Sequence, residues 1–558
     1  MKRLFALLFL ITATALAQTN AIPFLSQLYP LSTNPGHAAF TLNVTGAGFT
    51  STSIVNWNGS ARPTTFVNPD QLQAAITATD IAHASTANIT VVNPTPGGGT
   101  SNVVYFPVGR RSSSVAFARR DIPLTVSPGP LVVGDFNHDG KLDVVVSGSE
   151  IETFLGNGDG TFQAPIPSNV VSGGDALIAG DIDGDGNLDL IGGISYVMIV
   201  FPLKGNGDGT FSEPWPYFTS YDPAAVGDVN GDGKLDLITS GEHEEAAYAE
   251  VYLGNGDGTF ALSQTIGLEN GGKAALGDFN RDGKLDLALT DYNQETGYAV
   301  GVLFGDGNGN FGVGSGYHCA YGCYYIAAGD INGDGKLDLI DDGFGAFLGN
   351  GNGTFTADGG TPLYPYGGSV NLADFNNDNR LDASIAEFGQ YPQQNFSVLL
   401  GNGDGSFQNP MNWASGQYNS GIGVGDFNGD GRLDIVTVGR DAITTNPVLS
   451  VFLQTTLNVL PTYINFGYVK AGTTSPPQTV TLTNIGNNNV SIGPLHIFGR
   501  SSDFKGDSNC TTLAPGASCT ITGTFTPKFQ GNFSASVQVS YKGAVGSPQI
   551  IEIVGTGD

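Results

Sequence analysis

The stretch "GDFNGDGRLDIVTVG", Gly425 to Gly439, places Asp426, Asn428, Asp430 and Asp434 at positions 1, 3, 5 and 9 of one loop, with Gly431 at position 6. Oxygen side chains at alternate positions, gathered about a glycine that permits a sharp turn, suit a hard divalent cation such as Ca2+. An EF-hand would carry a bidentate glutamate at position 12 between two helices. Position 12 is Thr437, inside the β-branched run "LDIVTVG". That run reads as a strand, which excludes an EF-hand.

The motif recurs as "DFNHDGKLD" from Asp135, "DIDGDGNLD" from Asp181, "DVNGDGKLD" from Asp228, "DFNRDGKLD" from Asp278, "DINGDGKLD" from Asp330 and "DFNNDNRLD" from Asp374, so copies start 44 to 52 residues apart. About twenty residues after each of the first six loops comes a second motif, "LGNGDGTF" or a close variant, ending at Phe162, Phe211, Phe260, Phe311, Phe355 and Phe407. Asn-Gly and Asp-Gly between apolar runs are hairpin turns. A period of this length, made of strands and turns without helical patterning, predicts propeller blades of four strands each. The seventh repeat lacks its last strand, because "LSVFLQTT" from Leu449 has no glycine turn behind it. Phe117 in "SSVAFARRDIPL" precedes Asp135 by 18 residues, the spacing of a fourth-strand phenylalanine, so an N-terminal strand is expected to complete the last blade and close the ring.

These repeats resemble the FG-GAP or VCBS calcium-binding repeats of the integrin alpha-chain propeller and of bacterial and fungal propeller lectins. The resemblance covers residues 110–456. With two immunoglobulin-like domains flanking it, the expected architecture is all-β: a seven-bladed propeller between two β-sandwiches. Residues 21–108, through "LNVTGAGFTSTSIVNWNGS" and its Gly46, Gly48, Phe49, Trp57, Asn58 and Gly59, resemble the IPT/TIG immunoglobulin-like fold. Residues 457–558, with "INFGYVKAGTTSPPQTVTLTNIGNNNVSI" and a terminal "GTG", resemble the immunoglobulin-like domain of hydin and abnormal-spindle proteins, a choice-of-anchor module in bacteria. That likeness implies a role in contact or attachment.

The spacing assigns up to seven Ca2+ sites. Their ligands are Asp135, Asn137, Asp139, Lys141 and Asp143; Asp181, Asp183, Asp185, Asn187 and Asp189; Asp228, Asn230, Asp232, Lys234 and Asp236; Asp278, Asn280, Asp282, Lys284 and Asp286; Asp330, Asn332, Asp334, Lys336 and Asp338; Asp374, Asn376, Asp378, Arg380 and Asp382; and Asp426, Asn428, Asp430, Arg432 and Asp434. The position-7 residues contribute only a backbone carbonyl. Asn379 replaces the position-6 glycine in the sixth loop, and asparagine tolerates the left-handed backbone needed there. Turn-forming Asp and Asn alone predict variable spacing, which seven constant copies oppose. The leucines at position 8 are expected to pack between blades.

Three Asp in each loop, plus Asp183, account for 22 of 51 acidic residues, so much of the net charge of -29 is already explained. Such a balance opposes nucleic-acid binding, which needs a basic surface. Lys2, Arg3, the apolar Leu4 to Leu10 and Ala15-Leu16-Ala17 read as a signal peptide over residues 1–17, placing the mature chain outside the cell, at its surface or in a periplasm. In that setting Cys319 with Cys323, and Cys510 with Cys519, are expected to form disulfides rather than metal sites. No later run is long and apolar enough for a transmembrane helix.

Catalytic patterns are scarce. The six histidines are scattered, "HEEAA" at His243 lacks a second ligand histidine, and there is no GxSxG elbow, P-loop or papain-like cysteine. In a four-stranded antiparallel blade the acidic loop and the NGDG hairpin share one face, and the other connections share the opposite face. Those other connections are rich in aromatics, which gives Tyr221, Tyr292, Tyr317, Tyr321, Tyr364, Tyr366, Tyr391, Trp413 and Tyr418 as candidate contacts for a glycan or an extracellular protein. Packing between blades is the alternative for each. The expected function is adhesive or lectin-like binding without catalysis. A polysaccharide hydrolase or lyase and a passive envelope scaffold are the alternatives, and Glu242, Glu244, Glu245 and Asp291 are the one group of acids that would favour an enzyme.

Overall fold

The computed structural model describes residues 19–558 except 169, 171–173, 244–245, 294–296, 320–322, 344, 359–367, 387–393, 442–444, 487, 500–501 and 545. The expected signal peptide lies outside the described residues, as do Tyr321, Tyr364, Tyr366, Tyr391, Glu244 and Glu245. The side chains of Tyr292 and Tyr418 lie outside them as well.

Seven antiparallel units follow one another along the central chain, the sixth and seventh joined into one seven-stranded sheet by the long shared strand Met411–Gly425. In each, the innermost strand ends on the glycine or alanine before the acidic loop, and the second strand starts on the position-9 aspartate. The first sheet shows the plan, with Leu131–Gly134, Asp143–Ser147, Ile151–Phe154 and Ile166–Ser168 in order. The second strands are buried almost throughout, which is why they read as continuous Val, Leu and Ile rather than as alternation. Position-8 leucines join the sheets. A Cβ added at Gly134 would meet Leu188 of the next sheet, and the same holds for Gly180 with Leu235, Gly227 with Leu285, Gly277 with Leu337, and Gly329 with Leu381. Leu433 shares a core with Ala373. Gly425 of the last sheet meets Leu142 of the first, which brings the ring round to its start.

The strand Phe117–Pro123 is the outermost strand of the last sheet, antiparallel to Pro447–Gln454 from Phe117 opposite Gln454 to Pro123 opposite Val448. Phe117 is its anchor, edge-on to Trp413 at 5.0 Å and to Phe396 at 5.5 Å. The outer strands depart from the simple repeat in two ways. In the first and sixth sheets the phenylalanine after the turn makes only an isolated bridge, Gly156 with Phe162 and Gly401 with Phe407, before regular pairing resumes. In the second sheet the outer strand is split into Phe211–Ser212 and Phe218–Thr219. Prolines explain these gaps, since Pro165, Pro214, Pro216 and Pro410 lie in them and cannot donate to a ladder.

Each flanking domain is a two-sheet sandwich. The N-terminal one packs the sheet of Phe24–Tyr29, Phe40–Ala47, Gln71–Ile76 and Thr64–Asn68 against the sheet centred on Ser85–Asn93, around Trp57, Leu72 and Phe106. The C-terminal one pairs Tyr463–Val469 in parallel with Gln549–Gly557. It sits against the closing strand, where Arg119 reaches Glu552 at 2.8 Å with both side chains buried. Both cysteine pairs are bridged, Cys319 with Cys323 and Cys510 with Cys519. Among the described residues no helix is long and apolar enough to cross a membrane.

Candidate functional site

The acidic loops are built alike. The position-1 aspartate takes the N–H of position 6 on Oδ2, as from Gly140 to Asp135 at 2.9 Å and Gly431 to Asp426 at 2.9 Å. Position-3 oxygens accept the N–H of position 5, and position-5 carboxylates accept the N–H of position 7, as in Asp430 to Asn428 at 3.0 Å and Arg432 to Asp430 at 3.0 Å. Asn379 takes the glycine's place at φ +66° and still donates to Asp374 Oδ2 at 2.8 Å. The backbone thus aims the side-chain oxygens of positions 1, 3 and 5 inward, because each is turned by an N–H two to five residues further on.

The position-9 aspartate does more than complete this set. Asp143 Oδ2 accepts from Phe136 N at 2.9 Å and Oδ1 from Gly156 N at 2.8 Å, so it ties the loop to the third strand. The same pair of bonds recurs at Asp189, Asp236, Asp286, Asp338, Asp382 and Asp434. All seven are fully buried. Burial pushes their carboxyls up, to about 6 for Asp143 and to about 7 for Asp189, Asp236, Asp286 and Asp338, and neighbouring loop carboxylates add to the rise. An oxygen that accepts a single donor, as both do at Asp143, keeps a second lone pair, so a structural and a ligating role are compatible there.

Position 7 carries an unforeseen contact. The aliphatic stems of Lys141, Lys234, Lys284 and Lys336, and the side chain of Arg380, lie against Gly158, Gly256, Gly307, Gly351 and Gly403 of the NGDG turns, so loop and turn are clamped on one face. Lys141 and Lys336 also pair with Asp139 and Asp334 at position 5. The turns themselves are closed by their own residues, as in Thr161 donating to Asp159 through N at 2.9 Å and Oγ1 at 2.5 Å.

The second loop tests whether these groups suit a cation. One carboxylate oxygen each from Asp181, Asp183 and Asp189 lie within 4.8 Å of one another, and Asp181 Oδ1 is buried there with no hydrogen-bond partner. Such crowding of hard anionic oxygens fits a divalent cation. This loop alone has Asp at position 3, and it alone is faced by a lysine at the site where the other repeats carry Leu155, Leu253, Phe304, Leu348 and Leu400. Lys204 pairs with Asp183 and Asp185, which raises the ammonium's pKa. The extra negative charge is met by an extra positive one.

Three aromatic contacts expected at the opposite face are corrected. Trp413 is 1% exposed, stacked on Phe396 at 5.4 Å, because its segment is already strand at Met411 and turns the indole into the core. Tyr221 is buried against Tyr248 at 6.0 Å. Tyr317 packs between Phe347 and Phe355 of the following sheet, and its hydroxyl accepts the Phe355 N–H at 2.8 Å. For these three, packing within the propeller prevails, inside one sheet for Tyr221, inside one sheet and against Phe117 for Trp413, and between sheets for Tyr317. Tyr196, 80% exposed between two strands of the second sheet, and Tyr324, 54% exposed before the fifth inner strand, are on that face and were missed. Composition could not separate a buried tyrosine from an exposed one.

Residues 135–192, 228–289, 278–340 and 388–437 match the FG-GAP-like repeat, and residues 455–556 match the HYDIN/CFA65/VesB-like, Ig-like domain. The chain carries both. No curated protein matches it at a significant level. Among solved structures, it is similar to an auxiliary nutrient binding protein from Bacteroides ovatus at 10% identity and a TM-score of 0.30, covering 78% of this chain and 98% of that one. The Vibrio cholerae VesB protease matches at 11% identity and a TM-score of 0.17, covering 60% and 91%. A PapD-like domain of human CEP192 matches at 15% identity and a TM-score of 0.15, covering 18% and 85%. Likenesses this low carry no argument about function.

Proposed function

We propose that this chain is an exported, calcium-stabilised propeller that binds a glycan or a protein partner on the face opposite its acidic loops. The oxygens at positions 1, 3, 5 and 9 and the position-7 carbonyl would hold Ca2+, which would supply the charge needed to keep clustered carboxylates ionised in the fold. FG-GAP-like repeats support an extracellular binding or scaffold role. The IPT/TIG likeness of the N-terminal sandwich and the choice-of-anchor likeness of the C-terminal one fit a protein held by its ends while the propeller recognises a partner.

One observation carries the choice of face. The N-terminal sandwich lies on the loop face, where Thr86 Oγ1 donates to Asp426 at 2.8 Å and Ser32 Oγ to Asp374 at 2.7 Å. The opposite face keeps Tyr196 and Tyr324 exposed. Exposed tyrosines offer rigid apolar area with a polar edge, which suits sugar rings as well as peptides. The reading is non-catalytic; of the acids that would favour an enzyme, Asp291 accepts the N–H groups of Glu269 and Asn270, and Glu244 and Glu245 lie outside the described residues. A glycan array probed with the full chain, with and without Ca2+, tests this. Calcium-dependent signal that Tyr196→Ala and Tyr324→Ala together reduce at least tenfold is expected. Binding unchanged by both substitutions would contradict the choice of face.

A further inference from the structure

The N-terminal sandwich touches the acidic loops unevenly. It donates directly to the position-1 carboxylate of three of them: Ile22 N to Asp228 Oδ2 at 2.8 Å, Ser32 Oγ to Asp374 Oδ2 at 2.7 Å, and Thr86 Oγ1 to Asp426 Oδ2 at 2.8 Å. In the same loops Oδ2 also accepts the position-6 N–H, at 2.8, 2.8 and 2.9 Å. Oδ2 is thereby saturated by two donors, so the domain holds each of these carboxylates by Oδ2 and leaves Oδ1 as the oxygen to face a cation. These donors come from three separate places in the domain, so only its seated position serves all three at once.

Two further loops are met differently. Gln27 exchanges bonds with the backbone of Asp330, and Gly48 N donates to Gly283 O at 3.1 Å while Arg281 pairs with Asp70 at 3.1 Å. Among the described residues no hydrogen bond joins the domain to the first or second loop. Asp228, Asp278, Asp374 and Asp426 are buried, while Asp135, Asp181 and Asp330, which Gln27 meets only at the backbone, stay partly open. Leu25, Leu28 and Tyr105 meet Leu372, Leu381 and Leu433 around a cavity of about 300 Å3 at the seam.

We propose that Ser32, Thr86 and the Ile22 amide are positioning groups for Ca2+ in the third, sixth and seventh loops, so that seating of the N-terminal domain and filling of these loops form one linked equilibrium. This rests on the calcium reading above. A hydrogen bond that orients a ligating carboxylate from outside is worth roughly 10- to 100-fold in metal affinity. Linkage is reciprocal, so calcium in those loops must tighten the domain's seat by the same factor. The other four loops, whose position-1 carboxylates receive no such donor, form a second and weaker class.

Calorimetric titration of the metal-free full chain with Ca2+ alone tests the proposal. The wild type is expected to show two classes of site. Thr86→Val with Ser32→Ala should weaken the tighter class by about 10-fold or more, whereas Thr86→Ser, which keeps the hydroxyl, should leave it unchanged. A wild-type chain that binds no Ca2+ would overturn the calcium reading and this proposal with it. A wild type that binds while the valine variant gives the same isotherm would overturn this proposal alone. Equal loss in the serine and valine variants would also overturn it, because packing rather than the hydroxyl would then be responsible.

Discussion

At the scale of single residues, the loop aspartates are dictated by their spacing, but other buried acids are not. Asp341 and Asp342, both 1% exposed at the end of a second strand, belong to no acidic loop. Burial, with Asp342 adding to it, pushes the Asp341 carboxyl up to about 7, while the Gly345 N–H at 2.8 Å opposes the rise. The folded group therefore holds its proton to higher pH than the unfolded one, whose value is 3.8. Its cost to stability is absent below about pH 4, grows through pH 4 to 7 and is complete above about 7. Asp341→Asn keeps the acceptor and removes the charge. Denaturation at pH 8 should find the variant more stable by on the order of 2 kcal/mol, with little difference at pH 4. A gain of the same size at both pH values would contradict this origin. What sequence did not reveal at this scale is burial itself: Trp413 and Tyr196 look alike in composition, yet one lies in the core and the other in solvent.

At the scale of elements, the repeat was legible because each blade is a local unit of loop, turn and apolar strand recurring at a near-constant period. The closing strand was legible as well, through the spacing of Phe117 alone. Its partners lie more than 300 residues on, in Pro447–Gln454. The outer strands were less so, since prolines interrupt their pairing without changing the period. Phe117 is 2% exposed and lies among Phe375, Phe396 and Trp413. Truncating it should cost about 3 to 5 kcal/mol, as large-to-small changes in aromatic cores do. Chemical denaturation of Phe117→Ala measures this. A loss under about 1 kcal/mol would mean that the strand is an accessory and the last blade closes without it.

At the scale of the whole molecule, the three domains divide the propeller's surface. The N-terminal sandwich takes the loop face, the C-terminal sandwich lies against the closing strand through Arg119 and Glu552, and the opposite face carries the exposed Tyr196 and Tyr324. This arrangement was not legible in the sequence. Thr86 and Asp426 are 340 positions apart, and a single hydroxyl in a strand carries no periodic or compositional mark of the carboxylate it meets. Domain boundaries show in composition, whereas docking depends on shape and on isolated pairs. The central claim remains that seven acidic loops hold the propeller together through Ca2+. Extracellular sites of this kind bind with Kd on the order of 10^-4 to 10^-3 M, so the decisive measurement is the metal content of the full chain equilibrated with millimolar Ca2+, read beside its Tm before and after chelation. Several Ca2+ per chain and a Tm that falls on chelation are expected. Fewer than one ion per chain, with an unchanged Tm, would contradict the claim.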